Sequence, residues 1–266
     1  MNIIVCVKQV TDPEAPPSNF KIDTVANKVV PPVDIPPVLD PYSEYAVEAA
    51  LRLKDTHSGM VTAISLGAGL LREVIKKPLA MGADELVLLE DEAFAGGDSW
   101  STAYALAAAI RKISNYDLIL CGRQSADWDA GQVGSGIAEF LGLPIITLAR
   151  QIDISDGRAR VARVTADGYE VMETTLPVVI TVSNEIGEPR YPTIRGILAS
   201  KKREPTVWKP ADIGLEPSQV GAAGRRCRLV RLFQPAREGS CQMIEGETPE
   251  ETAVKLAERL SQAKLL

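Results

Sequence analysis

A chain of 266 residues, 45% hydrophobic and 24% charged, has room for one large α/β domain, alone or with a small appendage. A net charge of −6 argues against nucleic-acid binding through a basic face, and the cluster Lys201-Lys202-Arg203 is too short to overturn that. Four cysteines (Cys6, Cys121, Cys227, Cys241) without a C-x-x-C pair, and the single His57 in a polar stretch, leave zinc sites, disulfide frameworks and histidine triads without their usual participants.

In chain order, Asn2–Val10 reads as a first strand, apolar and β-branched. Its Lys8 comes too early for a secretory signal, and no apolar run reaches the length of about 18 that a membrane span needs. The expected compartment is the cytoplasm. Residues 11–41 hold eight of the eighteen prolines, a density that excludes a continuous helix or central strand. Within that excursion, residues 20–30 predict a small edge hairpin turning at Asn27. A helix follows with Asp40 as N-cap, Pro41 at its first position and Ala46, Val47, Ala50 and Leu51 on its buried face.

Residues 60–67 predict a second strand. Residues 69–84 predict a helix interrupted by Pro78 and closed by Gly82. A third strand (84–91), a helix (99–113), a fourth strand (116–122), a helix burying Val133, Ile137 and Leu141, and a fifth strand (144–150) complete the alternation. Continuous apolar strands alternating with helices predict an α/β fold with a mostly parallel, doubly wound sheet. Its ligands would lie beyond the carboxyl ends of the strands, where strand order reverses. From about residue 150, Asp156-Gly157 and Asp167-Gly168 predict two hairpin turns of an antiparallel extension ending in Leu176–Ser183. A loop and short helix, an irregular tail over 204 to about 240, and a last helix follow. That helix has Thr248 as N-cap, Pro249 first and Glu251 completing a capping box.

Two stretches compete as phosphate sites. "AGGDSWST", residues 95–102, resembles the S-G-G-x-D-S loop of pyrophosphatase-type ATP enzymes. Ala95 stands in place of the leading serine, and the loop follows the third strand rather than the first, so the expectation is that Asp98 or Ser99 simply caps the next helix. The other is "CGRQSADWDAGQVG", residues 121–134, a glycine-rich turn from strand to helix. Backbone N–H groups near Gly131 to Gly134 suit a phosphate, Arg123 adds charge, and Gln124 and Asp127 suit the polar parts of a nucleotide. The turn has no lysine, and Asp127 and Asp129 repel an anion. Such chemistry suits holding a nucleotide more than transferring its phosphate. The competing reading is a polar connection whose aspartates cap the next helix.

Five stretches, "VCVKQV" (5–10), "DPYSEYAVEAALRLKD" (40–55), "LAMGAD" (79–84), "GRQSADWDAGQVG" (122–134) and "RVTADGYEVMETTLPVVITVSNEIGEPRYPTIRGI" (163–197), align in order and spacing with one family. The chain resembles the β subunit of electron transfer flavoprotein. The resemblance implies a heterodimer with an α subunit and an FAD shared with that subunit. It implies electron passage from acyl-CoA-type or other flavin dehydrogenases to a membrane or soluble acceptor oxidoreductase, with no catalytic residues and no metal. It implies an AMP buried in this chain, or a second FAD in the same place in the electron-bifurcating branch. The implied contacts are Cys6, Asp40, Pro41, Tyr42, Ser43 and Leu66, with Arg123, Gln124, Ser125, Ala126, Asp127, Trp128, Asp129, Ala130, Gly131, Gln132, Val133 and Gly134. The implied partner-recognition segment is Glu188, Pro189, Arg190, Tyr191 and Ile194. Ile194, apolar in a polar context, reads as an exposed anchor or as local core. The expected division is a nucleotide-binding α/β domain over 1–203 and, over 204–266, an arm on the partner. Trp128, bulky where the family carries small or acidic residues, leaves AMP and FAD both open. A reading of another class is a free-standing adenine-nucleotide hydrolase or ligase.

Overall fold

The apolar, β-branched start of the chain folds as β1, Asn2–Cys6, with Ile3, Ile4 and Val5 buried. The computed structural model describes residues 1–32, 34–235, 239 and 241–266, in two compact units, Met1–Val230 and Arg231–Leu266. β1 stops at Cys6, short of the expected Val10. Gln9–Val10 (β2) instead pairs antiparallel with Val38–Leu39 (β5) outside the main sheet. In the proline-rich excursion, Lys21–Asp23 (β3) and Lys28–Val30 (β4) form a hairpin of their own, with Asn27 at φ 49 in the turn.

α1, Pro41–His57, starts as its sequence dictates: the Asp40 carboxylate caps it and proline, with no N–H to satisfy, takes the first turn. His57 is its exposed last residue. β6 (Met60–Gly67) leads into two short helices, α2 (Arg72–Ile75) and α3 (Lys77–Met81), separated next to Pro78. β7 (Glu85–Glu90), α4 (Ser99–Ile113), β8 (Leu118–Gly122), α5 (Val133–Leu141) and β9 (Ile145–Ser155) follow. β1 is parallel to β6 on one side and to β8 on the other, and β7 extends the β6 side. The chain therefore winds outward from β1 one way and returns to its opposite flank. Strand order reverses between β1 and β8. Two apolar clusters cover the two faces. Val5, Leu88 and Leu120 pack with Val47 and Leu51 of α1, and Ile4, Leu89 and Ile119 pack with Ile110 of α4 and Ile137 of α5.

β9 runs on as the first strand of an antiparallel extension with β10 (Arg158–Thr165) and β11 (Gly168–Thr175). Asp156 and Gly157, at φ 49 and 71, form the expected turn. The second turn falls one residue earlier than expected, on Ala166-Asp167. Thr165 pairs with Gly168, which opens β11 at φ 146. β12, Val178–Val182, leaves the meander and returns parallel between β8 and β9. All five of its residues are buried, which a strand at the exposed end of the extension would not permit.

α6 (Ile194–Lys202) is capped by the Thr193 side chain. β13 (Thr206–Trp208) then pairs parallel with β7 and completes the order β11-β10-β9-β12-β8-β1-β6-β7-β13. The boundary expected at 203/204 thus lies inside the first unit, where Ile213, Leu215 and Val220 are buried with the α4 cluster. A short α7 (Gly221–Gly224) precedes the second unit, whose helix α8 is Pro249–Gln262. Thr248 caps α8 as expected, but the Glu251 carboxylate accepts from Glu247 N–H rather than from Thr248. Of the irregular tail expected to about 240, positions 236–238 and 240 lie outside the described residues. Among the described residues no helix is long and apolar enough to cross a membrane.

Candidate functional site

The crevice beyond β1 and β8 is built from two elements that the sequence places far apart. The β2–β5 pair brings Asp40 beside Lys8: the Asp40 N–H donates to the Lys8 carbonyl at 2.8 Å, and the Lys8 N–H donates to Ser43 Oγ at 3.1 Å. Asp40 is buried and uses both oxygens. Oδ2 accepts from the N–H and hydroxyl of Ser43 at 2.9 and 3.0 Å, and Oδ1 accepts from the Ala126 N–H at 2.8 Å. Burial pushes this carboxyl up from its usual range, against the pull of the Ala126 and Ser43 N–H groups. One side chain thereby caps α1 and ties down the loop that leaves β8.

That loop is held by its own side chains. Arg123 Nε donates to Gln124 Oε1 at 2.9 Å. The Gln124 amide donates to Tyr42 Oη at 3.1 Å and to the Asp129 carboxylate. The Arg123 guanidinium lies 5.8 Å from the centre of the Tyr42 ring. The Asp129 N–H returns to the Ser125 carbonyl at 2.9 Å, with Asp129 at φ 56 and Gly131 at φ 63. Glycine is required on either side. A Cβ on Gly122 would lie 2.7 Å from the Tyr42 backbone oxygen, and one on Gly134 would lie 2.6 Å from Thr181 Cγ2. These close approaches lay the first turn of α1 and the start of α5 against the strand ends.

The aspartates do not cap α5. Its N-cap is Gln132, with no side-chain hydrogen bond, whereas α1, α4, α6 and α8 all carry side-chain caps. The N–H groups opening α5 are thus the uncapped ones among the longer helices described, at the glycine-rich end of the crevice. Their positive dipole end suits an anion. The missing lysine is supplied by the fold: Lys8 Nζ donates to Asp127 Oδ1 at 2.6 Å and to Ser125 Oγ at 3.3 Å. Sequence reading passed over Lys8. Its signal was position, two residues past Cys6 at the carboxyl end of β1.

The expected residues therefore gather as follows. Cys6, Asp40, Pro41, Tyr42 and Ser43 stand beside the loop from Arg123 to Gly134, while Leu66, half-buried at the end of β6, lies on the other flank of β1. Ala130, Gly131 and Gln132 are exposed at the rim, and Trp128 is 61% exposed. Cys6 and Cys121 are both free thiols. The Cys121 thiol beside it, followed by burial, pushes the Cys6 thiol well above its usual range. Such a thiol is a packing group and an unreactive one. The other candidate loop is closed by the chain itself. Asp98 caps α4 through the Ser101 N–H at 2.9 Å, and its second oxygen accepts from the Arg226 and Cys227 N–H groups, each at 2.7 Å.

The segment expected to recognise a partner lies further along α1. Glu48, 4% exposed, receives Arg52 Nε at 2.7 Å, and the Arg190 N–H and Nε at 3.0 and 2.8 Å. Arg190 also donates to Asp55 at 2.8 Å, and Arg52 donates to the carbonyls of Ile186 and Glu188 at 2.8 and 3.0 Å. Glu188, Pro189 and Arg190 are thus clamped on the helix, while Tyr191 is 93% and Ile194 79% exposed. Ile194 is not local core. Glu48 and Arg52 also escaped the sequence reading; a glutamate between Val47 and Ala49 on an apolar face was the available sign.

A sheet whose strand order reverses between β1 and β8, with an uncapped helix start beside that switch point, defines a doubly wound α/β fold. The sequence pattern of the electron transfer flavoprotein domain matches residues 33–213. The chain is 39% identical, over the full length of both, to the caffeyl-CoA reductase-Etf complex subunit CarD of Acetobacterium woodii. It is 37% identical, again over both full lengths, to the electron transfer flavoprotein subunit beta of Megasphaera elsdenii. Protein FixA of Azorhizobium caulinodans is 35% identical over 92% of this chain and 89% of its own. The chain belongs to the electron transfer flavoprotein β-subunit family, and its role is in electron transport.

Proposed function

We propose that this chain pairs with an α subunit, holds AMP in the β1–β8 crevice as a structural group, and presents the segment around Ile194 to flavin dehydrogenases. Convergence of the uncapped α5 start, Arg123, Lys8 and the Asp40–Ser43 turn in one crevice carries the reading. The donor set fits a nucleotide: N–H groups and Arg123 for a phosphate, with Lys8 offsetting the Asp127 charge, and the polar side chains of Gln124 and Ser125 for a sugar. The loop's hydrogen bonds already engage its Gln124 amide and its Asp127 and Asp129 carboxylates, which suits retaining a nucleotide. An FAD shared with the α subunit would supply the electron-accepting chemistry. This chain's part is to bind, orient and dock, and the 231–266 unit suits an arm on the α subunit.

A second reading places an FAD in the same crevice, and the exposure of Trp128 favours it, since an open indole at the rim suits a ligand longer than AMP. The relative named for a caffeyl-CoA reductase complex supports a dehydrogenase or reductase of CoA esters as the docking partner. The discriminating experiment is to purify the chain with its α subunit, denature the pair, and quantify released nucleotides. One FAD with one AMP is the expected result; two FAD and no AMP would replace it with the second reading. Hydrolysis of ATP by the isolated chain would revive the enzyme reading.

The docking role predicts that Ile194→Ala keeps its nucleotide and its melting temperature, because the side chain is 79% exposed. Flavin reduction by the dehydrogenase should slow at least about tenfold, as for loss of a buried interface anchor. Unchanged reduction kinetics would remove Ile194 from the interface.

A further inference from the structure

The geometry points to Lys8 as the residue that makes this crevice tolerate an anion: it neutralises Asp127 and fixes the loop whose N–H groups receive the phosphate. This rests on the nucleotide reading above and extends it to a residue outside the expected contact set. Three observations carry it.

First, the loop is acidic where a phosphate must approach. Asp127 and Asp129 both lie between β8 and the start of α5. Asp129 is occupied by the Gln124 amide, which leaves its charge in place. Asp127 is the one with a cation on it, Lys8 Nζ at 2.6 Å, and its side chain is only 28% exposed. An unpaired carboxylate beside an incoming phosphate would repel it, and the pairing with Lys8 offsets that repulsion.

Second, the backbone from which the Lys8 side chain departs is pinned beside the loop. Its N–H is committed to Ser43 Oγ and its carbonyl to the Asp40 N–H, while Val7 before it is held to the Ile64 carbonyl at 2.8 Å. The side chain thus departs from a point pinned to the cap of α1. Third, the same Nζ also reaches Ser125 Oγ at 3.3 Å, one residue from Ala126, whose N–H is bonded to Asp40. Lys8 and Asp40 together stitch the loop to the strand end by side chain and by backbone. Lys8 is therefore a positioning residue: it acts on the nucleotide through Asp127 and the loop.

The test uses the full chain purified with its α subunit, freed of nucleotide and titrated with AMP at low and high salt. Lys8→Met should weaken AMP binding about tenfold, with most of the loss at low salt, where the exposed Asp127 charge is least screened. Lys8→Arg should retain most of the affinity. Lys8→Met combined with Asp127→Asn should recover it to within about threefold of wild type, because the charge that needed neutralising is gone. Melting of each nucleotide-free variant should match wild type, which separates the effect from misfolding. Unchanged affinity in Lys8→Met overturns the proposal. A loss that Asp127→Asn does not repair overturns it too, since Lys8 would then act on the ligand directly. A wild-type protein that neither carries nor binds an adenine nucleotide overturns the nucleotide reading itself, a result distinct from either of those.

Discussion

Replacing Asp40 by alanine is expected to lower the unfolding free energy by about 3 kcal/mol, the sum of a lost helix cap and a stranded N–H. The buried carboxylate accepts from Ser43 N–H, Ser43 Oγ and Ala126 N–H, and among the described residues no second acceptor is seen for those donors. On the nucleotide reading, the variant should also lose the copurifying nucleotide, because the loop from Arg123 to Gly134 is released from α1. Asp40→Asn isolates the geometry. One amide oxygen serves one side, while its NH₂ faces N–H donors on the other, so a smaller loss of about 2 kcal/mol is expected. Denaturant titration with nucleotide assay is the measurement. An alanine variant as stable as wild type that still carries nucleotide would show that the Asp40 stitch is dispensable.

The second large effect belongs to Glu48. Burial by itself would push its carboxyl up. The Arg190 side chain and N–H, with Arg52, outweigh that and hold it below the usual carboxylate range. Glu48→Ala leaves two guanidinium groups facing an apolar gap, and the expected cost is about 2–3 kcal/mol, below the full figure for a buried pair because both arginines keep solvent contact. The sign of the pH dependence follows from the lowered value. The stabilisation is present above the ordinary carboxylate pKa and is lost as pH falls through the lower folded one. The gap between wild type and Glu48→Gln should thus be widest near neutrality and close below about pH 4. A gap that stays constant into acid would show that the charge of Glu48 contributes nothing. The Ile186–Arg190 segment should also become protease-sensitive in the variant, since Arg52 and Arg190 lose the group that aligns them.

Much of the fold was legible because its signals are local. Asp40-Pro41, Asp98 and Thr248 announce helix starts through side chains that reach their own first turn. Pro78 breaks its helix where the ring forbids continuation, and Asp156-Gly157 makes the turn its backbone freedom favours. The misreadings share one cause. Val10, the second hairpin turn and the place of β12 all depend on what lies across the sheet. β12 was read as the end of a meander because five apolar residues look the same in either pairing; burial on both faces sent it between β8 and β9.

The site divides the same way. The sequence by itself determined the class of fold, the family, and the glycine-rich loop from Arg123 to Gly134 at a strand's carboxyl end, because periodicity, turn chemistry and motif spacing are written along the chain. Its oddity, a phosphate-type turn with two aspartates and no lysine, stayed unresolved at that level. Only the tertiary structure set Lys8 on Asp127, Asp40 on Ala126, and Glu48 between two arginines. These partners stand 119, 86 and up to 142 residues apart. No local rule reports such distances. They close because a parallel sheet brings the carboxyl ends of β1 and β8 side by side, and because burial leaves each charged group one set of partners it can reach.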